Sequence, residues 1–129
     1  MAVAITTTQR GSTPIRVLPF AGIAAYILGK EYELSIVFVG EKRSRTINRT
    51  YRHKDKATNV LSFPLSPKSG ELVLCMPIVK KECVQFERTE KQHLLMLFIH
   101  GLLHLKGLDH GSTMESEERR VAARFGYTE

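Results

Sequence analysis

Apolar residues along this chain fall into two rhythms, one suited to strands and one to helices. Val3 to Thr8 reads as a first strand, and Glu33 to Val39 (ELSIVFV) as a second, from β-branched content and partial alternation. Asn59 to Pro64 (NVLSFP) predicts a short buried strand that proline ends. Leu65 to Ser69 reads as a loop, and Glu71 to Met76 (ELVLCM) as another strand. Helical spacing fills the intervals. Pro14 suits a helix start, and Ile15 to Leu28 keeps apolar residues at helical spacing up to Gly29. Glu41 to about His53 predicts a polar, basic helix, and Pro77 suits the first turn of a helix over Ile78 to Gln85. A long apolar helix runs from about Arg88 to Lys106, and a last one fits Thr113 to Phe125 with a capping signal at Ser112 or Thr113. This order predicts an α+β fold, a sheet of about four strands packed with about five helices.

The long apolar helix carries polar residues that need a reason. Its string HGLLHLKGLDH places His100, His104 and His110 within eleven residues. Four residues advance a helix by about 400°, so His100 and His104 stack on one face roughly 6 Å apart. Two imidazoles at that separation can share one Zn²⁺. His110 would point about 240° away if the helix continued. Gly107 can take positive φ, end the helix and turn the chain back, so that His110 rejoins the other two. Three neutral protein ligands leave a fourth position open, as catalytic zinc sites do. The spacing equals that of H-E-x-x-H-x-x-G-x-x-H zinc proteases, but Gly101 stands where their glutamate base belongs. That counts against a peptidase and favours another metal-assisted hydrolysis.

Composition sets bounds. The chain has 129 residues, which is one domain over 1–129 with room for a core. No apolar run reaches about 18 residues, so no membrane span is expected, and no secretory signal is read at the N-terminus. Cys75 and Cys83 form no C-x-x-C pair and read as reduced, half-buried thiols of a cytosolic protein. Net charge is +6, which favours an anionic partner. The charge is concentrated in Lys42, Arg43, Arg45, Arg49, Arg52, Lys54 and Lys56, against the single acid Asp55. Such a stretch is either a solvated helix face or, beside a hydrolytic metal site, a contact for a phosphate-rich substrate.

Four blocks carry a resemblance. HGLLHLKGLDH fits H-G-x-L-H-L-x-G-x-D-H at every fixed position. NRTYRHKDKATNVLSFP, GELVLCMPIVKKE and MESEE resemble the other blocks of the same pattern, over about Asn48 to Glu118. On these the chain is identified as a member of the YbeY family of bacterial metal-dependent endoribonucleases. One position departs: Asn59 stands where aspartate is usual, which keeps the shape and an acceptor oxygen but not the charge. The resemblance implies a mixed four-stranded sheet with a zinc held by three histidines at one end. It also implies a role in ribosomal RNA maturation, notably the 3′ end of the small-subunit RNA, and in ribosome quality control. RNA and the ribosome or its small-subunit components would then be partners, without any membrane.

On this reading His100, His104 and His110 hold one metal, expected to be zinc, and His100 and His104 count as catalytic with Arg52. Arg52 matches the arginine of the family's YR pair, and a guanidinium can bind phosphate through two parallel hydrogen bonds. Ser62 either faces the cleft or is a structural hydroxyl. No general base is evident. Asp109 is expected to brace a histidine or the turn after Gly107, Glu71 to belong to a strand end, and Met114 to be core. Two alternatives stay open: a zinc peptidase-like hydrolase, and a ribosome-associated binding protein whose metal is largely structural.

Overall fold

The computed structural model describes residues 2–7 and 18–128. Its elements are β1 (Ala2–Thr7), α1 (Phe20–Leu28), β2 (Glu33–Val39), α2 (Glu41–Arg52), β3 (Val60–Ser66), β4 (Ser69–Cys75), α3 (Met76–Gln85), α4 (Glu90–Lys106) and α5 (Ser112–Arg124). The strands form one mixed sheet in the order β1-β2-β4-β3. β1, β2 and β4 run parallel, and β3 pairs antiparallel with β4 at the edge. Among the described residues the fold is α+β with four strands and five helices, as the residue pattern predicts.

Alternation decides what each face of the sheet carries. Leu34, Ile36 and Phe38 of β2 and Leu72 and Leu74 of β4 are buried in the main core with α1 and α4. Val39, Leu61, Val73 and Cys75 form a second cluster on the opposite face, against Ile47 of α2 and Ile78 of α3. α4 is the central helix. Leu94, Leu95, Met96, Leu97, Phe98, Ile99, Leu102 and Leu103 are all buried, because α1, α3, α5 and the sheet surround it. Each such side chain contributes about 1.5–3 kcal/mol of burial. A capping box starts this helix: Thr89 accepts from the Gln92 backbone N–H, and the Gln92 side chain accepts from the Thr89 N–H.

Several boundaries differ from the expectations. α1 begins at Phe20, not Ile15: Leu18 is not helical, and Pro19, with its fixed φ, sits at the N-cap. Pro14, residues 15–17 and Thr8 lie outside the described residues. Pro64 does not end β3, which continues to Ser66. β3 is an edge strand, where a missing N–H costs no ladder bond, and the register shifts between Pro64 and Ser66. The expected loop over Leu65 to Ser69 is therefore a tight hairpin around Pro67 and Lys68. α5 starts at Ser112, but its N-cap is Gly111 and no side chain caps it.

Candidate metal site and substrate cleft

The histidine cluster follows from helix geometry and one glycine. His100 and His104 sit one turn apart on α4, with ring centroids 4.6 Å apart. Gly107 ends the helix with φ 107°, its N–H donating to the His104 and Leu103 carbonyls. The Leu108 N–H also returns to the Leu103 carbonyl, at 3.0 Å. This left-handed cap reverses the chain. His110 then lies with its ring centroid 4.9 Å from His100 and 4.8 Å from His104.

The donor atoms suit a metal ion. One ring nitrogen from each histidine lies within 4.8 Å of the others. The Nε2 atoms of His100 and His104 face each other at 3.1 Å. Two nitrogens each bound to one tetrahedral zinc would stand about 3.3 Å apart. Burial first, then the neighbouring His100 and His110, push His104 below the ordinary histidine range, while its hydrogen bond to the Leu108 backbone and the charge of Asp109 act the other way. The favoured neutral imidazole is the form that ligates. Among the described residues no fourth histidine, cysteine, aspartate or glutamate joins the group.

A carboxylate orients His100. Glu118 of α5 places Oε2 3.2 Å from Nδ1 of His100, which leaves Nε2 for the cluster. Both side chains are mostly buried. Glu118, not Asp109, braces a histidine here. Asp109 is exposed and acts on His104 only through its charge. Spacing gives no hint of Glu118, since it lies eighteen residues from His100 on another helix; the acidic MESEE block was its only trace in the sequence.

The cluster opens onto a cleft of about 660 Å³. Tyr51 and Arg52 at the end of α2 form one wall, residues 58–64 of β3 and its approach form another, and the three histidines complete it. Among the described residues no carboxylate lines this cleft, while Glu115 and Glu118 line an adjoining one that shares His100 and His110. Arg52 is exposed and has no ion-pair partner among the described residues. Two neighbours are otherwise engaged: Arg45 binds Asp55 through Nε at 2.8 Å and a terminal nitrogen at 3.0 Å, and Arg49 reaches the same carboxylate at 3.5 Å. Buried polar groups hold the wall in place. Ser44 Oγ donates to the Thr58 carbonyl and accepts from the Thr58 N–H, both at 2.9 Å. Asn48 Nδ2 donates to the Lys56 carbonyl at 2.8 Å.

The remaining candidates take lesser places. Ser62 lines the cleft, but its Oγ donates to the Gly101 carbonyl at 3.0 Å and ties β3 to α4. Glu71 lies inside β4, not at its end, and accepts from Ser35 Oγ at 3.2 Å. Cys75 and Cys83 are fully buried, not half-buried, and neither joins the histidines. Met114 is core. Asn59 donates to Glu82 Oε1 at 3.0 Å, which the buried His93 also meets through Nε2 at 3.0 Å. Asn59 thus serves as a donor beside a carboxylate, a role aspartate fills only when protonated.

Gly101 explains itself in three dimensions. A Cβ there would come 2.9 Å from Leu72 Cδ2 and 3.2 Å from Val60 Cγ2. α4 lies against the sheet at this point, so the glutamate of zinc proteases has no space.

Three imidazoles converging at a cleft that no carboxylate lines among the described residues define a protein able to hold one metal ion. The family model "Endoribonuclease YbeY" matches residues 16–125. An endoribonuclease YbeY of Paraburkholderia phymatum is 43% identical over 123 residues, covering 85% of this chain and 80% of the relative. That of Aromatoleum aromaticum is 38% identical, covering 96% and 85%. The solution structure of the Thermotoga maritima protein TM1509 superposes with a TM-score of 0.68 at 27% identity, covering 95% of this chain and 88% of that one. The chain belongs to the YbeY endoribonuclease family.

Proposed function

We propose that this protein is a zinc-dependent endoribonuclease that cuts single-stranded ribosomal RNA in the cytoplasm, at or near the 3′ end of the small-subunit RNA, in contact with the ribosome or its small-subunit components. One observation carries the reading. The histidine cluster and Arg52 share one cleft that, among the described residues, no carboxylate lines. A phosphodiester chain entering it would meet the Arg52 charge and the histidine nitrogens, with no carboxylate among the described lining residues.

His100, His104 and His110 would hold a divalent ion, which would supply Lewis acidity toward water and a phosphoryl oxygen. The protein supplies the rest. Glu118 fixes the tautomer and ring plane of His100. Arg52 offers parallel N–H donors to non-bridging oxygens and offsets the charge that builds as the bond breaks. The Ser44 and Asn48 hydrogen bonds hold the segment after Arg52 against α2, so this wall of the cleft is ordered before substrate arrives.

The packing of Gly101 against Leu72 and Val60 weighs against the peptidase-like alternative, and the lack of a fourth ligating side chain among the described residues weighs against a purely structural metal. The test is cleavage of a single-stranded RNA carrying the small-subunit 3′ end. Cleavage should stop on chelation, return with stoichiometric Zn²⁺, and be absent in His104→Ala together with metal retention. Undiminished cleavage by metal-free protein, or by His104→Ala, overturns the proposal.

A further inference from the structure

The cleft contains an aromatic feature that the hydrolytic chemistry does not use. Tyr51 is the penultimate residue of α2 and is 67% exposed. Its ring meets that of Phe63 on β3 edge-to-face, with centroids 5.3 Å apart and planes at 69°. Phe63 is anchored below by the second apolar cluster, which also holds Val39, Leu61 and Val73. Both rings line the same cleft as Arg52 and the three histidines. Tyr51 is therefore an outward-facing ring held by a buried-side partner, and it directly precedes the phosphate-seeking arginine.

Its surroundings explain why the ring is there. The rest of α2 is strongly polar, with Lys42, Arg43, Arg45 and Arg49 exposed or partly so. Tyr51 rests its ring on Phe63 yet stays 67% exposed, so most of the ring is open to a ligand within a cationic segment. Single-stranded nucleic acid is bound by such pairings: cationic side chains follow the backbone, while an aromatic face stacks a base. A double helix hides its base faces, so a stacking platform admits only unpaired nucleotides.

We infer that Tyr51, propped by Phe63, is the stacking platform for an unpaired nucleobase next to the phosphate held by Arg52. The inference rests on the endoribonuclease reading and names how that site selects single strands. Every base has a π-face, so the platform tolerates any sequence and favours bases that stack strongly.

The experiment uses the full chain and two readouts. The first is cleavage of a single-stranded RNA by zinc-loaded protein. Tyr51→Ala should raise KM about 5- to 150-fold with kcat little changed, and Tyr51→Phe should restore it. Removing the base at one nucleotide beside the cut should raise the wild-type KM to the same extent and add nothing further in Tyr51→Ala. The second is binding of metal-free protein to RNA carrying 2-aminopurine at that nucleotide. Its fluorescence should be quenched by wild type and Tyr51→Phe, and not by Tyr51→Ala. Cleavage by wild type with an unchanged KM in Tyr51→Ala, or quenching that persists in Tyr51→Ala, overturns the platform. Absence of any cleavage by wild type removes the endoribonuclease reading instead, and the quenching experiment still decides whether the ring stacks a base.

Discussion

Glu118 sits 3.2 Å from Nδ1 of His100, across the interface between α5 and α4. That one contact sets which imidazole nitrogen faces the histidine cluster, and it ties the final helix to the site.

Loss of this brace should weaken the metal site without dismantling it. Glu118→Ala is expected to lower zinc affinity about 10- to 100-fold. A competitive chelator titration measures this directly, with circular dichroism confirming the helices. Affinity equal to wild type would show that His100 is oriented by something else.

Arg52 should matter for the chemical step and not for the metal. It is exposed, lines the same cleft as the histidines and stands outside their cluster, so Arg52→Ala should leave zinc stoichiometry and melting temperature unchanged. Loss of a donor that stabilises developing charge should reduce kcat about 10²- to 10³-fold. Arg52→Lys should recover only part of that, because a lysine cannot form the two parallel bonds.

Gly101 tests how closely α4 lies on the sheet. Alanine in a helix interior normally gains up to about 1 kcal/mol over glycine. Here its Cβ would press on Leu72 and Val60, and overpacking costs about 1–3 kcal/mol. Gly101→Ala should therefore be less stable by about 1–2 kcal/mol in a urea titration. A stability gain would mean the sheet yields easily at this point.

Asp55 gives a pH signature. The hydrogen bond from Arg45 holds its carboxyl below the ordinary value of 3.8, with the charges of Arg45 and Arg49 adding to it and partial desolvation opposing it. The folded state then binds fewer protons than the unfolded chain near that pH. The ion pair contributes above 3.8 and is lost as pH falls through the lower folded value. Between pH 5 and 8 it should contribute no pH dependence. An NMR titration of the Asp55 side-chain carbon should find its midpoint below 3.8, and Arg45→Ala should move it back up towards that value.

Much of the site is legible in one dimension because a helix is a local object. Four residues bring His100 over His104 whatever surrounds them, and a glycine at 107 can reverse the chain for His110. The apolar run from Leu94 to Leu105 likewise announces a central helix, and β-branched runs announce β2 and β4. Boundaries were harder, since each depends on a neighbour. Pro64 is tolerated within β3 only because β3 is the edge of the sheet, and the sequence does not state strand order.

The chain's own residue order thus determined the three-histidine cluster, the strand and helix inventory of the described residues and the cationic character of α2. Tertiary structure alone decided that β4 lies between β2 and β3, that Glu118 reaches His100, and that Asn59 meets Glu82. It also decided that Tyr51 and Arg52 line one cleft with the histidines. The reason is range: backbone periodicity fixes relations over one or two turns, whereas contacts between separate elements depend on how buried faces pack, which no local spacing encodes.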